Sequence, residues 1–170
     1  MSDVSNVAPA DPFAVVEAEV LGTPMKVFAH QPTSLRQIWD ASEAHGDTVY
    51  LVYEDERMTF AEAHRQVRAV AHRLIAHGVQ QGDRVAIATR NYPEWAIAYW
   101  ATVSLGAVAV PLNAWWTGPE LAYGLTDSGA VVLFADDERA ERLVPHLGDT
   151  AVGAVVLIRS EREVPNGEAF

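Results

Sequence analysis

Gly82-Asp83-Arg84-Val85-Ala86-Ile87-Ala88-Thr89 is followed by Arg90-Asn91-Tyr92-Pro93-Glu94-Trp95, by an apolar run to Leu105, and by Gly106-Ala107-Val108-Ala109-Val110-Pro111-Leu112-Asn113. A short β-branched run, a Pro at a helix start, a Gly at the helix end and a second Val-rich run read as strand, helix, strand. A strand-crossover-strand connection within one sheet is right-handed and joins parallel strands, so this unit predicts a parallel α/β sheet.

Downstream, Thr117-Gly118-Pro119-Glu120 has the spacing of a helix start and predicts a helix through Leu121 and Leu125 to Ser128-Gly129. Ala130 to Ala135 predicts a buried strand, Asp136-Asp137 a cap for a helix reaching Leu147, and Val152 to Ile158 a last strand. Upstream, Leu35, Ile38, Trp39 and Ser42 follow the cap candidates Thr33 and Ser34 at helical spacing and stop near Gly46. Val49 to Tyr53 and Arg57 to Phe60 flank a polar tip and predict a hairpin. Thr59 and Glu62 then open an amphipathic helix with Val67, Val70, Ala71, Leu74 and Ile75 on its buried stripe and Arg65, Arg68, His72 and Arg73 opposite. The expected architecture is α/β: a parallel sheet flanked by helices in the order βαβαβαβ, preceded by a helix, a β-hairpin and an amphipathic helix. Residues 1–24 show no sustained period and read as a flexible arm, 25–160 as one α/β subdomain, and 161–170 as a polar tail or truncation point.

Hydrophobic residues make up 49% of the 170, ample for a core. The formal charge of -11 and the lack of a Lys/Arg cluster exclude nucleic acid as an expected partner. With no cysteine, disulfides, Cys-ligated zinc and thiol nucleophiles are out, and a cytoplasmic location is compatible. Met1 to Ala10 has neither a basic nor an apolar leader region, and no apolar span is long enough to predict a transmembrane segment.

The segment Pro93 to Leu105 has no polar face, because Trp95, Ile97, Tyr99, Trp100, Val103 and Leu105 go all the way round. A helix apolar on every side must be buried on every side, so the expectation is a further layer of protein outside this chain, and self-association without it.

In an open parallel sheet ligands bind beyond the carboxyl ends of the strands, here Thr89-Arg90-Asn91, Asn113-Ala114-Trp115-Trp116 and Asp136-Asp137. No Gly-x-Gly occurs and no Gly-Lys-Ser/Thr, which removes the dinucleotide fingerprint and the P-loop. The six histidines include no pair at i, i+4, so no metal site is expected. Asp136 and Asp137 read as paired carboxylates or as helix caps, and Arg90 as an anion holder or a surface residue. Trp115 and Trp116 read as a substrate surface such as an acyl tunnel, as a partner surface, or as packing against protein outside the chain.

Met58-Thr59-Phe60-x-Glu62, Gly82-Asp83-Arg84-Val85-Ala86-Ile87, Asn91-x-x-Glu94, Leu105-Gly106-Ala107-Val108-Ala109-Val110-Pro111-Leu112-Asn113 and Glu120-Leu121-x-Tyr123-x-Leu125-x-Asp127-Ser128 come in a telling order. With them the chain resembles the N-terminal portion of the adenylate-forming, AMP-binding superfamily, closest to the fatty-acyl-CoA synthetases (acyl-CoA ligases). It departs from the family pattern at Ala63 and in the loop Ala114-Trp115-Trp116-Thr117-Gly118. The resemblance implies a ligase that turns a fatty acid or other carboxylic acid into an acyl-adenylate with ATP and Mg2+, then into a CoA thioester. It implies no catalytic residue in this chain, since the family's phosphate loop, ribose-binding Asp and C-terminal Lys match nothing here. It implies one cofactor contact, Arg139 and Arg142, three apart and placed for the CoA phosphate, with a solvated salt-bridged face as the other reading. The expectation is therefore a structural, inactive fragment that binds no cofactor tightly and has the remainder of the same polypeptide as its partner, in a parent protein that is cytoplasmic or peripheral at a membrane. The alternative is a stand-alone non-catalytic α/β interaction module.

Overall fold

A computed structural model describes residue 11 and residues 13–170. Val15–Val20 and Thr23–Phe28 form an antiparallel hairpin, β1 and β2, which begins in the segment 1–24 expected as a flexible arm and ends beyond it. Cross-strand pairs such as Val16 with Val27 and Ala18 with Met25 set its register. Most of its side chains are exposed, so no buried face imposes a period-2 pattern, and Pro24 masks what alternation there is. The rest of the expected arm, residues 1–10 and 12, lies outside the described residues.

Ser34 caps α1 (Leu35–Ser42) by accepting the Gln37 N–H, and a 3-10 turn carries the chain to Gly46. Strands β3 (Val49–Tyr53) and β4 (Glu56–Thr59) form the expected hairpin. At the start of α2 (Phe60–Ala76) the Thr59 N–H donates to Glu62 at 2.9 Å and the Glu62 N–H donates to Thr59 at 3.2 Å, a reciprocal cap. The buried stripe of α2 is Ala63, Val67, Val70 and Leu74, with His64 beside it, whereas Ile75 faces out.

The central unit is β5 (Arg84–Ala88), α3 (Pro93–Ser104) and β6 (Val108–Pro111), followed by α4 (Gly118–Ser128), β7 (Val132–Asp136), α5 (Asp137–Leu143), β8 (Ala154–Ile158) and β9 (Gly167–Ala169). All neighbours in the sheet are parallel, in the order β6-β5-β7-β8-β9. The ninth strand lies in the region expected as a polar tail. Three residues, Gly167-Glu168-Ala169, are too few to show a period; they are held by β8, by the Arg73 guanidinium on the Ala169 carbonyl and by His77 on Glu168.

Alternation along the strands divides the core. Val85, Ile87, Val132, Phe134, Val156 and Ile158 face α2 and α3, while Ala86, Ala88, Leu133, Ala135, Val155 and Leu157 face α4 and α5. Both faces of the sheet are thus covered, which is why its strands read as continuous apolar runs.

The enclosure of α3 corrects the expectation of an uncovered helix: no residue of Pro93–Ser104 is exposed. The layer is supplied from within the chain by α1, α2 and the β3–β4 hairpin. Trp39 of α1 stacks between Trp100 (ring centroids 5.0 Å) and His64 (3.9 Å), and the Trp100 indole N–H donates to the Tyr50 hydroxyl at 2.7 Å. Aromatic side chains, each covering large area, let one short helix and one hairpin close over α3.

His64 sits in this column with its Nε2 3.0 Å from the Ser42 hydroxyl, and burial holds its pKa below the ordinary value, with Glu43 and Asp40 opposing and Arg68 reinforcing. The unfolded chain therefore takes up this proton first, at about pH 6.5, so the contribution is full above that pH and is lost as pH falls below it. Denaturant melts across this range are expected to show stability falling with acid, and His64→Gln to flatten that slope. An unchanged slope in the variant would contradict the assignment.

Candidate functional site

The carboxyl ends of β5, β6 and β7 carry three loops to one edge of the sheet. The chain leaves β5 for β6 on one side and returns to β7 on the other, so the strand order reverses at β5 and a crevice is expected between β5 and β7. Asp136 fills it. Its carboxylate is 3% exposed, caps α5 by accepting the Arg139 N–H at 3.1 Å, and accepts the Arg90 N–H from the β5 loop at 2.8 Å.

Arg139 is the matching cation. At 1% exposure its Nη1 donates to both Asp136 oxygens at 3.1 Å and reaches Glu138 at 2.9 Å, and its Nε donates to the Ala114 carbonyl at 2.8 Å. Arg142, one turn on, donates to the Trp116 carbonyl at 2.9 Å and pairs with Glu138. Gly118 permits this approach, because a Cβ there would run into the Arg142 carbonyl oxygen. The two arginines share a helix face as the spacing predicted, but that face is turned onto the loop after β6.

Asp136 and Asp137 are engaged separately. Asp137 accepts from the Ser160 hydroxyl and from Arg162, contacts that hold its carboxyl below the usual range, Ser160 contributing most. Of the two tryptophans, Trp116 is half-buried over Leu112 and Gly124 in the α4 face of the core, whereas Trp115 is 71% exposed. The Arg90 guanidinium lies 4.1 Å from the Trp115 ring centroid.

Trp115 and Arg90 line an open cleft of about 700 Å³ together with Tyr53, Tyr92, Trp95, Asn91 and Asn113. Sequence reasoning missed Tyr53, Tyr92 and Trp95 as site residues, and missed Arg159, whose guanidinium lies against the two tyrosine rings. From the end of β8, Arg159 reaches Glu94 at 2.9 Å and Glu56 at 2.7 and 2.8 Å and lies 5.0 Å from both tyrosine rings. Its one available signal was a lone Arg after a Val-rich strand, which many surface positions share.

The donor set does not make a nucleotide-phosphate cradle. Arg139 is enclosed, with its Nη1 and Nε on Asp136, Glu138 and Ala114, and Arg142 is taken by Glu138 and Trp116. Among the described residues no three His, Asp or Glu side chains gather as magnesium ligands would. No helix among them is long and apolar enough to cross a membrane.

The chain is a doubly wound parallel α/β protein with an aromatic-lined cleft at the carboxyl edge of its sheet. The family described as AMP-binding enzyme matches residues 38–169, and the chain belongs to that family. It is 39% identical over 107 residues to a long-chain-fatty-acid–CoA ligase of Mycobacterium bovis, covering 63% of this chain and 17% of the relative. It is 41% identical over 111 residues to a feruloyl-CoA synthase of an Amycolatopsis species, covering 65% and 21%. Among solved structures, an anthranilate CoA ligase in complex with anthranoyl-AMP superposes with a TM-score of 0.71 at 27% identity, over 74% of this chain and 25% of that one. The chain thus spans about a fifth of the length of these two relatives.

The two indoles should separate on truncation. Trp116→Ala is expected to destabilise by about 3 kcal/mol through a lost core contact, and Trp115→Ala by less than about 1 kcal/mol. Removing Asp136 with Ala leaves Arg139 buried without its carboxylate, at about 3–5 kcal/mol. Urea unfolding of the three variants checks this order; equal effects at 115 and 116 would contradict the placement.

Proposed function

We propose that these residues act as the N-terminal α/β subdomain, over 25–160, of an ATP-dependent carboxylic acid–CoA ligase, and that they form no acyl-adenylate by themselves. The observation that carries this is the family match over 38–169, supported by similarity to CoA ligases that are several times longer. Relatives acting on fatty and on aromatic acids match about equally, so the proposed substrate class is a carboxylic acid, with a fatty acid as first choice. ATP, Mg2+ and CoA belong to the whole catalytic unit, whose remaining part is the proposed partner of this subdomain. The contribution here is mechanical: a parallel sheet that fixes the cleft wall at its carboxyl edge. The proposed location of the parent ligase is the cytoplasm, peripheral at a membrane at most.

A second reading, a stand-alone interaction module, gains from one observation: no residue of α3 is exposed, its cover coming from residues of this chain. The mass of the natural polypeptide separates the two, a product far heavier than 18.5 kDa favouring the ligase and one of 18.5 kDa the module. For the chain itself, incubation with Mg-ATP and a panel of fatty and aryl acids is expected to release no acid-dependent pyrophosphate. Release above the acid-free blank would overturn the scaffold role.

A further inference from the structure

We propose that Arg139 and Arg142 are positioning residues that grip the loop after β6 and hold the Trp115 indole against Arg90 as a fixed wall of the cleft.

The grip has two hands. Arg139 holds the carbonyl of Ala114 at 2.8 Å and Arg142 that of Trp116 at 2.9 Å, the two residues flanking Trp115. Both guanidiniums ride on α5, which Asp136 caps, and the same carboxylate takes the Arg90 N–H. Backbone on both sides of Trp115 and the residue beneath its ring therefore refer to one anchor. The loop contributes its own turn, the Trp115 N–H donating to the Asn113 side chain at 3.0 Å. Trp116, half-buried next door, packs against the α4 face of the core.

Such a grip explains an otherwise costly pair. A buried Arg–Asp pair with one guanidinium nitrogen, Arg139 Nη2, left without a partner is a poor way to stabilise a core; an apolar pair of the same size does as well or better. It does supply direction. A planar fork with fixed donor angles can hold a carboxylate and a carbonyl at once, which no apolar side chain can do. An exposed tryptophan on a free loop would sample many rotamers, whereas one held at both flanking carbonyls and stacked on a cation is set before any ligand arrives.

This deepens the ligase reading, on which the use of the wall rests, but the grip itself is tested without any ligase activity. The chain is labelled with 5-fluorotryptophan, its fluorine NMR lines are assigned with Trp115→Phe and Trp116→Phe, and Arg139→Met, Arg142→Met and Arg90→Met are compared. Arg142→Met leaves the Asp136–Arg139 pair intact, so it serves where Arg139→Met fails to fold. Expected is a Trp115 line displaced from the free-amino-acid position in the parent chain. It should move toward that position in Arg142→Met and Arg90→Met, with the Trp39 and Trp100 lines unmoved. A Trp115 line already at the free position, or one unmoved by Arg142→Met and Arg90→Met in folded protein, would overturn the proposal. A role confined to stability would lower the unfolding midpoint and leave the Trp115 line in place.

Discussion

The buried pair of Asp136 and Arg139 is the constraint on which the carboxyl edge of this sheet depends. Taking both charges out of water costs several kcal/mol per ion, and the attraction between them offsets this only when the remaining lone pairs and N–H groups find partners. Asp136 meets that condition with the Arg90 and Arg139 amides and the Nη1 fork; Arg139 meets most of it with Ala114 and Glu138. The consequence is mechanical. Three loops that leave three different strands share one ionic centre, so none moves without breaking contacts of the others, and the place where a doubly wound sheet usually opens to a ligand is plugged. The open cleft lies one strand over, against β6.

Around that centre the packing is asymmetric. The α4–α5 face is built from Ala and Leu at close approach, while the α2–α3 face uses larger residues and adds an outer aromatic layer, with Trp39 between His64 and Trp100. The outer layer closes a helix with no polar side. It also carries the β3–β4 hairpin, from which Tyr53 lines the cleft and Glu56 receives Arg159. Burial on the far side of α3 and the shape of the cleft are in this way two results of one hairpin position.

Much of this was legible in the residues. Reciprocal caps at Thr59–Glu62 and Thr117–Glu120, Pro at the start of α3, and β-branched runs of strand length marked the central elements because each signal is local. The β1–β2 hairpin and β9 were not legible, since exposed strands and three-residue strands impose no burial period. The cover over α3 was misread for a different reason. Its all-round apolarity was plain, but the identity of the cover is a long-range matter, resting on residues such as Trp39 and Tyr50 that lie some fifty positions away. At the site, Asp136 as a cap was readable, and the i, i+3 pairing of Arg139 and Arg142 was readable as one face. Which way that face turns was not, because it depends on where the loop after β6 falls.

Amide hydrogen exchange at Arg90, followed residue by residue in NMR spectra of the intact chain, tests the central tie most directly. Arg90 lies beyond the end of β5, and its N–H has Asp136 as acceptor. Protection comparable to Ile87 within the strand is the predicted result, with Asn91 exchanging freely next to it. An Arg90 amide that exchanges as fast as Asn91 would mean that Asp136 does not hold the β5 loop and that the three loops are not bound to one centre.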